Sequence, residues 1–249
     1  MMNLESDFAA LENIISEGSD QTGDAVWHFY KSIQWEEPTE TLRFEVGSRV
    51  KAYFGGEWVP ATVVALWYRE VDWPVAFVAP YRMKLDRDDN MVYAPVDGKS
   101  FLIAIDETPN LDVVDKEMLL GFGSISNCRS WEQAGHTPLH ACCFIGGDPN
   151  ILKRLLRRPM RQYHPDNNIN MWRESPLCMA AQYGKLHCAI LLLAAGADPR
   201  VPNCWGKTPA VVAEENGYDN GKVLVELLKR REAELNEIDA KTTGGAARS

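Results

Sequence analysis

Histidine and cysteine side chains gather in one short stretch of the chain, where they could bind a metal ion or supply a nucleophile. His136, His140, Cys142 and Cys143 lie within a span of eight residues, and Cys128 precedes them. Zinc sites usually combine two close ligand pairs, such as C-x2-C with a second pair, and this spacing does not fit that pattern. We therefore predict no metal site and no cofactor.

Catalysis by these or other residues is not predicted either. The sequence contains no G-x-S-x-G, P-loop, H-E-x-x-H or kinase-like signature. It leaves a Cys–His nucleophile open but contains nothing that favours one, because thiols at buried small-residue positions are inert. We expect a protein without enzymatic activity, in which His140 is a hydrogen-bonding residue that steadies the neighbouring loops.

The elements that hold these residues repeat along the second half of the chain. Three segments begin at His136 (HTPLHACCFIGG), Glu174 (ESPLCMAAQYGK) and Lys207 (KTPAVVAEENGY). Each places a hydroxyl–proline pair, small residues and a glycine at matching offsets. The hydroxyl can cap a helix whose first turn tolerates the proline, and the glycine suits the left-handed turn that ends the helix. The second and third segments are 33 residues apart (Ser175 to Thr208), whereas the first and second are 38 apart.

These segments resemble ankyrin repeats, whose period is about 33 residues. The resemblance implies an α-helical solenoid over residues 112–238, with residues 113–127 as a capping half-unit. It also implies a concave protein-binding face of hairpin tips and first helices, which corresponds here to Gln133, Phe144, Trp172, Gln182, Tyr183, Trp205 and Glu215. Trp172 and Trp205 occupy equivalent positions, as binding anchors or as a mutual stack that stiffens two hairpins.

Charged residues stand at two unexpected places in this region. Arg173 occupies a position where the hairpin of an ankyrin unit is expected to carry glycine. A basic cluster marks the second helix of the first unit and consists of Lys153, Arg154, Arg157, Arg158 and Arg161. We favour a solvated helix face for this cluster, with the binding of an acidic or phosphorylated partner as the alternative.

Residues 46–106 differ in character from the repeats. Five short β-rich runs are separated by turn signals such as GGE, DRDDN and DGK, a pattern typical of a small antiparallel barrel. The stretch VGSRVKAYFGGEWVPATVVAL resembles the first hairpin of Tudor and SH3-like barrels. Trp58 matches a ligand-cage position of that family, and Tyr68, Tyr81 and Tyr93 are further candidates for a barrel site that takes a methylated or proline-containing peptide. For these rings we favour core packing or a proline groove over a methyl-ammonium cage.

The two ends of the chain are predicted to differ from its domains. Residues 1–45 contain two amphipathic stretches, which we interpret as a helical arm packed on the following domain. Residues 239–249 have the composition of a disordered tail. The formal net charge is −9, and residues 1–45 hold 10 Asp and Glu against 2 Lys and Arg. An acidic chain lacks the electrostatic footprint of a nucleic-acid binder.

The compartment is predicted from the N-terminus and from the cysteines. The opening MMNLESDFAALENIISEG has acidic residues where a secretory signal needs a basic start, and the sequence has no apolar run long enough to cross a membrane. Its six cysteines are spread thinly and only through the second half. We therefore expect an intracellular protein, cytoplasmic or nuclear, that does not bind membranes.

Taken together, these features predict an α+β multidomain protein in which a small antiparallel β-barrel over residues 46–106 precedes an ankyrin solenoid. Its predicted function is that of a monomeric protein–protein interaction adaptor, which holds its partner through the concave face and a peptide through the barrel. The alternative is a chromatin- or nucleic-acid-associated reader of methylated peptides that uses the barrel aromatics.

Overall fold

The computed structural model describes residues 4–17, 21–35, 38–54, 57–99, 101–108, 134–159, 163–167, 170–218 and 221–246. Within these residues the chain forms two N-terminal helices, then five strands, then three pairs of helices. The buried side chains form two hydrophobic cores: one joins the N-terminal helices to the helix pairs, and the other fills one face of the sheet.

The strands form one antiparallel sheet. They are β1 (Arg49–Phe54), β2 (Glu57–Tyr68), β3 (Ala79–Leu85), β4 (Met91–Ala94) and β5 (Leu102–Ala104). Their order across the sheet is β4-β3-β2-β1-β5. Buried positions alternate along the strands, as they do when one face of a sheet packs on a core: Val50 lies opposite Ala61, and Ala52 lies opposite Val59.

The described strands are not closed into a barrel, so the predicted SH3/Tudor-like barrel is not confirmed. Closure requires the two edge strands to pair, and no pairing of β4 with β5 is present in the described part of the chain. The edge strands have only four and three residues, which leaves little backbone for such pairing. The broader expectation, an antiparallel sheet ahead of a helical repeat region, is confirmed.

The helix pairs make three units of the repeat region. Unit 1 consists of α3 (Pro138–Ile145) and α4 (Pro149–Leu156), unit 2 of α5 (Pro176–Gln182) and α6 (Leu186–Ala194), and unit 3 of α7 (Pro209–Asn216) and α8 (Gly221–Ala246). The two N-terminal helices, α1 (Leu4–Glu17) and α2 (Thr22–Ser32), complete the set.

The first helix of each unit begins where the sequence predicts it. Thr137 and Ser175 cap α3 and α5 by accepting backbone N–H groups with their side-chain oxygens, and Thr208 holds the N-cap position of α7. A proline follows each of the three, where its missing N–H is harmless. The helices α3 and α7 end at Gly146 and Gly217, whose φ angles of 71° and 61° are left-handed.

The N-terminal helices pack on the second helices of the units, not on the sheet that follows them in sequence. Their apolar side chains, including Phe8, share one core with those helices. The indole N–H of Trp35 donates to the carbonyl oxygen of Ala194 at 2.8 Å, which caps the end of α6. Arg230 on α8 pairs with Asp24 at 2.7 Å. The predicted helical arm therefore exists, but its support is the repeat region.

The predictions made for the two ends of the repeat region have different outcomes. The predicted capping half-unit, residues 113–127, lies outside the described residues. At the other end, α8 continues through Ala246, so residues 239–246 are helical where a disordered tail was expected. Local contacts support this extension, since Arg200 pairs with Asp239 at 2.7 Å and the Thr243 hydroxyl donates to the Asp239 carbonyl at 2.6 Å. Among the described residues, no helix combines the length and apolar character that a membrane crossing needs.

Candidate functional site

The hairpin tips between units are joined by backbone hydrogen bonds. The N–H of Met171 donates to the carbonyl oxygen of Ala134, and the N–H of Cys204 donates to that of Trp172, both at 2.8 Å. Arg173 adopts a φ of 55° at a position where the neighbouring hairpins have Gly135 at 75° and Gly206 at 74°. The three tips thus form a continuous ladder that fixes the spacing of their side chains.

The side chain of His140 stabilises this ladder through two hydrogen bonds. Its Nδ1 accepts the N–H of Thr137 at 3.1 Å, so Nε2 carries the proton and donates to the carbonyl oxygen of Glu174 at 2.8 Å. The expected role of His140 in steadying the hairpin loops is confirmed. Burial lowers the pKa of His140 to about 4, which keeps the ring neutral near pH 7. Since both ring nitrogens are engaged, this histidine has no lone pair to offer a metal ion.

Four cysteines of the repeat region are packing residues, whereas Cys204 is exposed. Cys142, Cys143, Cys178 and Cys188 are free and buried, and burial raises the pKa of Cys142 and Cys178 to about 12. A hydrogen bond with Cys143 lowers the pKa of Cys188, but its thiol is fully enclosed. No three His, Cys, Asp or Glu side chains of the described residues are grouped as metal ligands, while Cys128 lies outside those residues.

The predicted concave-face residues fall into two environments. Phe144 and Tyr183 meet edge to face with ring centroids 4.7 Å apart, beside the half-buried Gln182. Trp172 is half-buried against the ring of His136 at 5.7 Å. In contrast, Trp205 is 60% exposed, and no ring contact to it is present in the described part of the chain.

Glu215 borders this face and pairs with Lys207 at 2.6 Å. Gln133 is outside the described residues. Sequence reasoning missed Met171, which is 66% exposed on the tip beside Trp172, and Tyr218, which is also exposed. Met171 could have been found from the repeat alignment, because it precedes Trp172 just as Cys204 precedes Trp205.

The four aromatic residues predicted for the sheet do not surround one site. Trp58 packs against Tyr53 at 5.4 Å at one end of β2. Tyr81 is fully buried, and its hydroxyl accepts the N–H of Phe44 at 3.2 Å. Only Tyr68 and Tyr93 approach each other, because both pack against a tryptophan outside the predicted set, Trp73, at 5.9 and 4.7 Å.

The basic cluster of unit 1 is only partly the solvated helix face that was expected, since Arg154 is exposed whereas Arg158 is buried. Arg154, Arg157 and Arg158 line a cavity of about 440 Å³ together with residues of the sheet, and Arg158 is only 8% exposed. The carbonyl oxygen of Arg157 accepts the N–H of Val78 at 2.9 Å. The loop before β3 is thus bonded to the end of α4, a contact that sequence periodicity cannot reveal. Arg161 lies outside the described residues.

Comparisons with known proteins agree with the architecture of the repeat region. Residues 139–239 match the family model of ankyrin repeats, in three copies. The chain is also 33% identical over 102 residues to ankyrin repeat domain-containing protein 13C of Homo sapiens, a match that covers 41% of this chain and 17% of that protein. The chain thus matches only a small part of that relative's length. The repeat region consists of ankyrin repeats, which generally mediate protein–protein interaction.

Proposed function

We propose that this chain is a protein-interaction adaptor and that its partner binds across the tips of the ankyrin hairpins. The observation that carries the proposal is the pair of large apolar side chains at adjacent tips, Met171 and Trp205, which are 66% and 60% exposed. Burial of such side chains in a partner would remove apolar surface from water. Exposed tryptophan is also among the residue types most often found as binding anchors.

The surroundings of these two residues support a binding role. The backbone bond from Cys204 to Trp172 fixes the distance between the two tips, so little conformational entropy is lost when a partner binds. Exposed polar and charged groups border the apolar tips, among them the pair of Lys207 with Glu215. An apolar centre within a polar rim is the usual anatomy of a protein interface.

We do not propose that Trp58, Tyr68, Tyr81 and Tyr93 together bind methylated peptides. Trp58 packs on Tyr53 and Tyr81 is buried, so both are apart from the Tyr68 and Tyr93 rings. Nucleic-acid binding is also left out, since the chain carries a net charge of −9, which opposes the approach of phosphates.

Alanine replacement tests the proposed face. Wild-type chain, the variant Met171→Ala/Trp205→Ala and the control Tyr53→Ala are each used to capture proteins from a cell extract, with quantitative mass spectrometry as the readout. Tyr53 is the matched control because it is an exposed aromatic residue of the sheet. Loss of an anchor costs about 2 kcal/mol, or roughly 30-fold in affinity, so the double variant should release proteins that the wild type and the control retain. Equal retention by all three would contradict the proposal.

A further inference from the structure

The cavity of about 440 Å³ beside unit 1 is lined by residues of both domains and by none of the described hairpin-tip residues. Its basic wall comes from the last turn of α4 and the residues that follow it: Arg154, Arg157 and Arg158. The remaining wall comes from the segment before β1, the end of β2, the start of β3 and the loop between β4 and β5. Cavities of this size are typical of binding sites for small ligands and side chains.

The charge around this cavity favours an anion. Glu40 and Asp97 are the acidic residues among its described lining residues. Arg43 already neutralises Asp97, since it donates to that carboxylate from Nε at 2.6 Å and from its backbone N–H at 3.0 Å. Among the described lining residues, this leaves one exposed carboxylate, that of Glu40, against three arginines. The cavity is therefore locally basic in a chain whose net charge is −9.

Arginine at three positions suits a phosphate group better than a carboxylate. Each guanidinium presents its N–H donors in a planar fork that can bind two phosphate oxygens at once. A phosphate monoester has three terminal oxygens and a charge close to −2, so it can accept hydrogen bonds from more than one arginine. Arg158 is only 8% exposed, and its guanidinium lies 5.9 Å from the ring of Tyr163. Attraction between opposite charges is stronger at such a place than in bulk water.

Much of the remaining wall is apolar. Prolines from three separate segments, Pro38, Pro80 and Pro95, line the cavity together with Trp67. Pro80 and Pro95 are buried, and Trp67 is half-buried. These rigid side chains offer an apolar surface on which a ring can pack, and a proline has no backbone N–H to donate to a polar ligand. A ligand that combines an aromatic ring with a phosphate would use both the apolar and the basic wall.

Backbone hydrogen bonds fix the two walls before any ligand binds. The N–H of Val78 on one wall donates to the carbonyl oxygen of Arg157 on the other at 2.9 Å. In the loop between β4 and β5, the carbonyl oxygen of Gly98 accepts the N–H groups of Phe101 and Leu102, both at 3.0 Å. A prearranged site loses less conformational entropy when its ligand binds.

We propose that this cavity binds a phosphotyrosine side chain of a partner peptide. The arginines bind the phosphate, while the prolines and Trp67 pack against the tyrosine ring. A tyrosine ring needs no hydrogen bonds, whereas a nucleotide base would bring several polar groups to the proline-lined wall and leave them unsatisfied. The cavity is separate from the ankyrin tips, so either proposal can fail alone.

Fluorescence anisotropy with the full chain tests the ligand. A fluorescein-labelled peptide that carries phosphotyrosine between alanines should bind saturably. The unlabelled competitors are the same peptide with phosphotyrosine, with tyrosine or with phosphoserine, and adenosine monophosphate. The tyrosine peptide should compete at least about 30-fold more weakly than the phosphotyrosine peptide, and the phosphoserine peptide about tenfold more weakly. Absence of binding, or equal competition by the tyrosine or phosphoserine peptide, would overturn the proposal. Stronger competition by adenosine monophosphate would assign the cavity to a nucleotide instead.

Replacement of one arginine tests the location. Arg154 is exposed on the last turn of α4, so Arg154→Ala should keep the fold and weaken binding of the phosphotyrosine peptide about tenfold. Arg154→Lys, which keeps the charge but loses the fork, should recover only part of that affinity. The matched control is Arg87→Ala, at an exposed arginine outside the cavity, and its affinity should equal that of the wild type. Unchanged binding by Arg154→Ala, or an equal loss in Arg87→Ala, would contradict binding in this cavity.

Discussion

The imidazole Nε2 of His140 donates a hydrogen bond to the carbonyl oxygen of Glu174, 2.8 Å away, and so joins the first helix of unit 1 to the hairpin of unit 2. The same ring accepts the backbone N–H of Thr137 through Nδ1. One neutral imidazole therefore forms hydrogen bonds with the N–H at the start of a helix and with the carbonyl of a neighbouring hairpin. Protonation of Nδ1 would break the first of these bonds.

The pH dependence of stability should report this arrangement. Folding lowers the pKa of His140 from 6.5 to about 4, so the unfolded chain binds the proton more readily. The resulting stabilisation, on the order of 3 kcal/mol, is fully present above pH 6.5 and is lost as the pH falls towards 4. His140→Gln should therefore be much less stable than wild type at pH 7.5, with a smaller difference at pH 5, as measured by urea unfolding.

His28→Gln is the control for that experiment, because His28 is an exposed histidine on α2. Its free energy of unfolding should stay close to the wild-type value at both pH values. A His140→Gln difference that is the same at pH 7.5 and pH 5 would show that the neutral ring is not what stabilises the unit junction.

Alanine replacement of the two hairpin tryptophans should change the free energy of unfolding by different amounts. Trp172 is half-buried against His136, whereas Trp205 is largely exposed. Trp172→Ala should lower the free energy of unfolding by about 1–2 kcal/mol, and Trp205→Ala by less than about 0.5 kcal/mol. If Trp205→Ala proved as destabilising as Trp172→Ala in thermal or urea unfolding, mutual stiffening of the hairpins would account for Trp205 better than partner binding does.

Two glycines with the same backbone conformation differ in their neighbours. Gly184 and Gly217 both have a φ of 61°, but a Cβ at Gly184 would lie 2.8 Å from Cγ of Tyr218, while one at Gly217 would meet nothing within 4 Å. Gly217→Ala should cost about 1 kcal/mol through left-handed strain alone. Gly184→Ala should cost at least about 1 kcal/mol more, because the Tyr218 ring must move. If denaturant unfolding showed the same loss of unfolding free energy for both variants, the Tyr218 ring would move aside at no cost in stability.

Arg173 gives a prediction of the opposite sign. Its φ of 55° is strained for a residue with a Cβ. Arg173→Gly should stabilise the chain by about 0.5 kcal/mol, once the greater freedom of glycine in the unfolded chain is included. The reciprocal change, Gly206→Ala at a φ of 74° in open space, should destabilise it. A loss of stability in Arg173→Gly would reveal a contact of the arginine side chain that outweighs the backbone strain.

Local chemistry was predictable from the sequence in the repeat region. A residue with a hydroxyl group stands before the proline at the start of each first helix. Thr137 and Ser175 cap their helices with that hydroxyl, whereas Thr208 occupies the N-cap position without a side-chain capping bond. The cap and the fixed proline φ both act within one turn, so they could be predicted locally. Glycine ended the helices for an equally local reason. The role of His140 followed from its place in the repeat. These features needed no knowledge of distant residues.

Features that depend on distant contacts were not predictable in the same way. Closure of the sheet would depend on pairing between β4 and β5, whose four and three residues are too few to show a strong pattern. The docking of Trp35 on Ala194 joins residues 159 positions apart. The place of Trp73 was not predicted, because its contacts with Tyr68 and Tyr93 join the β2–β3 loop to two different strands.

Site-specific photo-crosslinking tests the central claim most directly. A photo-crosslinking amino acid is placed at position 205 of the full chain, and in a parallel protein at position 53, an exposed aromatic position on the sheet. If the ankyrin hairpin tips hold the partner, position 205 will crosslink to a protein that the wild-type chain retains, and Met171→Ala in the same chain will reduce that product. The account is contradicted if position 53 yields the same product in equal amount, or if position 205 yields none.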